Sequence, residues 1–170
     1  MSILKIMSID GFYTSEMAIN ISRLLASSTF DEYEFGKQIR DFNMVSEDID
    51  EMFSTVLNFN VIVDKESGFF RYPQHFIHFE SFDSLQDWLF VVALEPSTFN
   101  VFEHKSGAKT ALQDYRFNYR NLFEWDLKIN YLLDPGQGVF FRPWLFHSFD
   151  NGLIQVFKVK ELSQDTKYQV

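Results

Sequence analysis

Apolar and polar positions follow two different rhythms along this chain. In the first third the spacing is helical. Ser15 precedes an apolar stripe of Met17, Ile21, Leu24 and Leu25, which puts one face of a helix inward. A second helix is predicted from Ser46 as N-cap, with Glu47 and Asp48 complementing the positive end. Ile49, Met52, Phe53, Val56 and Leu57 follow at helical spacing, and Asn58 is a reasonable stop. The mixed stretch 29–43 between them has no clear period.

From Phe59 onward the period becomes two. Segments 59–64 and 69–72 read as a hairpin around Lys65-Glu66-Ser67-Gly68. Further strands are predicted at 75–82, 88–94, 99–104, 127–133, 139–142 and 153–160. Turns at Glu95-Pro96-Ser97, Asp134-Pro135-Gly136 and Asp150-Asn151-Gly152 separate several of them. About eight short strands behind helices suggest a mainly β (α+β) fold, a double-sheet jelly roll with N-terminal helices packed against it. The expected organisation is one domain over 1–170, with a helical part at 1–58, a jelly-roll core at 59–162 and a tail at 163–170. The interruption at 105–126 is read as a lid or insertion over the barrel mouth.

Composition sharpens this picture. The 170 residues hold 21 Phe, 7 Tyr and 3 Trp. Flat rings stack well across strands, so the Phe excess is first a packing signal. With 15 basic against 24 acidic residues the net charge is −9, which disfavours nucleic acid and anionic membranes. The Tyr115–Arg120 run mixes rings with two arginines, too few to reverse that field, and reads as a packed lid. There is no cysteine, so disulfides, thiolate nucleophiles and iron–sulfur ligation drop out, and a reducing cytoplasm fits. No apolar run is long enough to span a bilayer, and the opening MSILKIMSIDGFY does not read as a signal peptide. Neither a GxxxxGK phosphate loop nor a GxSxG elbow occurs.

The chemistry concentrates in histidine. Only four are present, at 75, 78, 104 and 147. In a strand at 75–82, His78 and Glu80 project to one face and His75 to the other. A third ligand from His147, placed just past a strand end, completes a 2-His-1-carboxylate set with open positions opposite. Such a set suits Fe(II) holding a chelating cosubstrate and oxygen. A solvated His-x-Glu pair on the outer face is the bland alternative, and Glu103-His104 competes if the sheet registers differently.

In this respect the chain resembles the 2-oxoglutarate/Fe(II)-dependent oxygenases of the double-stranded β-helix, cupin-like superfamily. Their pattern is His-x-Asp/Glu, a distal His, then a basic residue on the last strand, over roughly 69–160 here. The resemblance implies His78, Glu80 and His147 as metal ligands, with Fe(II) and 2-oxoglutarate as cofactor and cosubstrate. It further implies a dioxygenase-type oxidoreductase acting on a small molecule or peptide. Lys158 would clamp the cosubstrate, with Arg142 as runner-up because its planar fork suits a carboxylate. Glu replaces the usual Asp, and Lys the commoner Arg. Lys158 points inward if Ile154 and Val156 do, and into solvent if Leu153, Gln155 and Phe157 line the interior. Gly138, Pro143, His147 and Asn151 follow the order of the second cupin motif, but Leu145 stands where that motif has Gly. A cupin-like metal enzyme without 2-oxoglutarate and a metal-free jelly-roll binding module are the alternatives.

Overall fold

The computed structural model describes residues 6–26, 31–33, 36–39, 47–64, 68–71 and 77–162. His75 and Ser46 lie outside them. The elements run β1 (Met7–Ile9), α1 (Ser15–Leu25), β2 (Asp31–Tyr33), β3 (Gly36–Ile39), α2 (Ile49–Leu57), β4 (Val61–Val63) and β5 (Gly68–Arg71). They continue with β6 (Asp87–Ala93), β7 (Ser97–His104), β8 (Trp125–Leu133), β9 (Gly138–Phe141), β10 (Phe146–Asp150) and β11 (Leu153–Glu161). The large sheet has the order β1-β9-β6-β11-β5-β3-β2, with β4 also on β11, and the small sheet the order β10-β7-β8. All pairings are antiparallel. From β6 to β11 the chain passes back and forth between the sheets, which is the jelly-roll arrangement.

Alternation along the strands builds two cores. Leu89, Val91 and Ala93 of β6 meet Phe99 and Val101 of β7, Phe141 of β9 and Ile154 of β11 between the sheets. The intervening residues Trp88, Phe90 and Val92 turn to the opposite face, where Phe140, Phe157 and α2 cover them. Phe53 of α2 sits centrally there, its ring centroid 5.0 Å from Phe90, 5.1 Å from Phe140 and 5.7 Å from Phe157. The large sheet is thus buried on both faces.

Several sequence expectations change. The buried face of α1 is Ala18, Ile21 and Leu25, with Met17 and Leu24 exposed. In α2 it is Ile49, Phe53 and Leu57, with Met52 and Val56 outward. The N-cap of α1 is Thr14, whose Oγ1 accepts the Met17 amide. Asp48 occupies the N-cap position of α2 without a side-chain capping bond, and the helix ends as expected at Asn58 in the left-handed conformation. The N-terminal part is not helical alone, since β1 and β2–β3 supply both ends of the large sheet. β4 and β5 form no hairpin. Both run antiparallel to the same edge of β11, one against 159–161 and the other against 153–156, so they lie end to end.

The strand expected at 75–82 reduces, among its described residues, to one bridge between His78 and His147. His147 lies within a strand, β10, rather than past a strand end. The 105–124 excursion does not cap the barrel mouth. Ala108, Ala111, Phe117 and Tyr119 pack with Phe102 and Phe146, which alternate with the inward Val101 and His147 and so mark the outer face of the small sheet.

The connection from β10 to β11 crosses from small sheet to large in a two-residue turn. Asn151 and Gly152 both have positive φ, 61° and 74°. A Cβ at 152 would lie 2.6 Å from the Pro96 carbonyl oxygen, so only glycine fits.

Candidate metal centre

Paired backbone hydrogen bonds of 2.9 Å join His78 and His147 in both directions, and the Glu80 amide donates to the Pro143 carbonyl at 2.8 Å. These few bonds bring side chains from distant segments together. One ligand atom from each of His78, Glu80 and His147 lies within 4.8 Å of the others, and no other such group occurs among the described residues. His78 Nε2 is 3.1 Å from Glu80 Oε1, and the imidazole centroids are 4.4 Å apart. Donors at right angles about 2.1 Å from a cation stand about 3 Å apart, so small side-chain rotations close the set. Two imidazoles and a carboxylate suit a first-row divalent cation: Fe, Mn, Co, Ni or Zn.

The two histidines are buried, at 1% exposure for His147 and 6% for His78, whereas the Glu80 side chain is 39% exposed. His147 is enclosed by rings, with Phe141 edge-on at 4.7 Å and Phe149 at 5.9 Å. Its Nδ1 lies 2.7 Å from the Leu145 carbonyl oxygen. A carbonyl only accepts, so Nδ1 carries the proton and a neutral ring keeps its lone pair on Nε2. Burial pushes this imidazole down to about 3, nearby His78 adds to the shift, and Glu80 and the Leu145 carbonyl oppose it. For Glu80, burial alone would raise the carboxyl. The hydrogen bond with His78 and the charges of His78, His147 and Lys158 outweigh it, holding the group at about 2. A neutral His147 imidazole and an ionised Glu80 carboxylate are the protonation states in which these two groups bind metal.

Lys158 pairs with Leu89 across β11 and β6, on the face that Ile154 and Val156 present to the inter-sheet core, and it is exposed. Leu153, Gln155 and Phe157 are buried too, on the helix side, so both readings of that strand's faces hold in part. Lys158 lines a cavity of about 290 Å³ with Asp64, Ser81, Asp83, Leu89 and Pro143.

Arg142, the runner-up clamp, is engaged by protein groups. It lies on the sheet's other face, its guanidinium 3.6 Å from the Trp88 ring centroid, donating to the Leu85 and Asp87 carbonyls at 3.3 and 3.1 Å and to Glu161 at 3.4 Å. Those partners occupy its fork. His104 is also elsewhere, stacked on Phe117 with centroids 3.8 Å apart. The Leu145 carbonyl, which sets the His147 tautomer, is a backbone group without a sequence signature.

No protein-family model and no curated protein matches this sequence. Solved structures do share its fold. HygX from Streptomyces hygroscopicus, with nickel and 2-oxoglutarate bound, is 12% identical with a TM-score of 0.61, covering 92% of this chain and 83% of that one. The non-heme alpha-ketoglutarate-dependent epimerase SnoN of nogalamycin biosynthesis is 11% identical with a TM-score of 0.62, covering 91% and 78%. The corresponding carbocyclase SnoK of the same biosynthesis is 9% identical with a TM-score of 0.55, covering 93% and 79%. HygX has also been solved with iron bound. At these identities the likeness is one of fold.

Proposed function

We propose that the protein is an Fe(II)- and 2-oxoglutarate-dependent oxygenase of the hydroxylase type. Its metal ligands are His78, Glu80 and His147, and its substrate is a small molecule or peptide. The carrying observation is the convergence of two buried imidazoles and one carboxylate within 4.8 Å. The fold of the neighbouring 2-oxoglutarate-dependent enzymes supports it. When bound, the iron supplies oxidising chemistry with 2-oxoglutarate as co-reductant. The chain's own residues prepare that site. His147 offers an Nε2 lone pair because Leu145 holds the proton on Nδ1. Glu80 stays ionised at physiological pH. Phe141 and Phe149 keep water from the buried side of His147. Lys158 presents an ammonium for the distal carboxylate of the cosubstrate, from the cavity wall beside the Glu80 segment.

A single measurement tests this reading. Anaerobic Fe(II) and 2-oxoglutarate together give the wild type a weak visible charge-transfer band, and the His147→Ala protein lacks it. Identical spectra for the two proteins sink the assignment.

One observation favours a second reading, a metal enzyme that does without 2-oxoglutarate. Asp64, Asp83 and Asp87 line the same cavity as Lys158 and oppose entry of a dianion. Under that reading Fe(II) binds, 2-oxoglutarate produces no band, and His147→Ala loses Fe(II) affinity.

A further inference from the structure

Residues 77–80 carry two members of the cluster yet join no sheet beyond the single His78–His147 bridge. Along this segment the side chains alternate. His78 and Glu80 face the cluster. Ile77 and Phe79 face the other way, into the aromatic layer on the outside of the small sheet. Ile77 is fully buried there. The Phe79 ring lies 6.2 Å from Tyr115, 6.1 Å from Tyr119 and 6.4 Å from Phe146, centroid to centroid. Tyr115 and Tyr119 belong to the 105–124 excursion and are joined by a hydrogen bond from the Tyr119 hydroxyl to the Tyr115 carbonyl. The excursion is fixed in turn to the chain just before β10 by the Thr110–Leu145 bridge and the Ala111 amide on the Trp144 carbonyl at 2.9 Å.

We propose that Phe79, clasped by Tyr115 and Tyr119, is a positioning residue of the metal centre. It touches no bound cation; it fixes the rotation of the segment that presents His78 and Glu80. A strand with a full ladder cannot roll about its axis, but a segment held by one bridge and the Glu80–Pro143 hydrogen bond resists rolling less, and rolling displaces both donors together. Metal ligation tolerates a few tenths of an ångström, so an anchor behind the ligands matters as outer-shell partners do. The excursion thereby acts from the outer face of the small sheet. This rests on the reading of His78, Glu80 and His147 as a metal centre.

Co(II) titration of the purified protein, followed by its visible d–d absorption, separates the possibilities. Phe79→Ala is expected to bind Co(II) about tenfold more weakly than wild type, with a shifted band and an unchanged far-ultraviolet circular dichroism spectrum. Phe79→Leu, which refills the anchor, restores affinity to within about threefold of wild type. Wild-type affinity and band in Phe79→Ala overturn the proposal. Should Phe79→Ala fail to fold, Tyr119→Ala decides: a weaker affinity and shifted band support the clasp, and unchanged values overturn it. If wild type itself binds no Co(II), the metal reading falls and this proposal with it; normal wild-type binding with an indifferent Phe79→Ala sinks the clasp alone.

Discussion

The two faces of the large sheet are both rich in rings and do opposite work. On the helix side, Phe53 packs among Phe12, Phe90, Phe140 and Phe157, and every one of these neighbours is another phenyl ring. On the inner side, Phe99, Phe141 and Phe149 gather around the imidazole of His147. The first arrangement buries apolar area and asks nothing of pH. The second shields a titratable ring from water so thoroughly that its uncharged form is strongly favoured. Phenylalanine excess therefore marks no single role. What the rings enclose decides it.

Substitutions can sharpen or break this contrast. The largest effect is expected on the helix side. Phe53→Ala removes a fully buried ring from a close-packed layer and should cost about 3–5 kcal/mol in urea unfolding, independent of pH. A loss under about 1 kcal/mol would mean that face is loosely packed.

The inner side should respond to acid. A histidine whose pKa is near 6.5 unfolded and about 3 folded binds more protons when unfolded. Its contribution is therefore full above about pH 6.5 and is lost as pH falls towards 3, at up to about 1.4 kcal/mol per pH unit for one proton. Glu80, also depressed, adds loss in the same direction between its ordinary 4.5 and about 2. Melting curves of metal-free protein from pH 7 to 4 should thus slope, and His147→Phe should flatten the slope. An equal slope in both proteins would show that other groups control it.

The smallest effect on folding is expected at the rim. Lys158 is exposed, so Lys158→Met should stay within about 0.5 kcal/mol of wild type in stability. In calorimetry on the metal-loaded protein, however, it should weaken 2-oxoglutarate binding by roughly tenfold or more. Unchanged affinity would remove Lys158 as the cosubstrate's partner, and no binding to the wild type would favour the reading without 2-oxoglutarate.

Local pattern carried some of this architecture and long-range pairing the rest. The i, i+4, i+8 series Ile49, Phe53 and Leu57 made α2 readable, but its stripe was wide enough that Met52 and Val56 looked equally buried. Phe146–Asp150 was missed as a strand because Phe146, His147, Ser148 and Phe149 are all buried, leaving no alternation to detect. The hairpin at 65–68 failed because β11 offers its edge to both β4 and β5, a contact made about ninety residues away in sequence. In the site, the His-x-Glu spacing was readable because strand geometry alone puts positions 78 and 80 on one side. Their meeting with residue 147 depends on the bridge between two non-adjacent segments. Arg142 misled because its planar fork suits a carboxylate wherever it stands, and only the tertiary fold reveals that Trp88 and Glu161 already engage it.

The turn at Asn151-Gly152 has an effect beyond reversing the chain. It is a two-residue spacer between layers, bearing His147 four positions before Asn151 and Lys158 six positions after Gly152. Because the Pro96 carbonyl sits where a side chain at 152 would go, any larger residue there acts as a wedge at the hinge end of a clam. A methyl group at that position would press on the Pro96 carbonyl at the turn that joins the strand of His147 to the strand of Lys158.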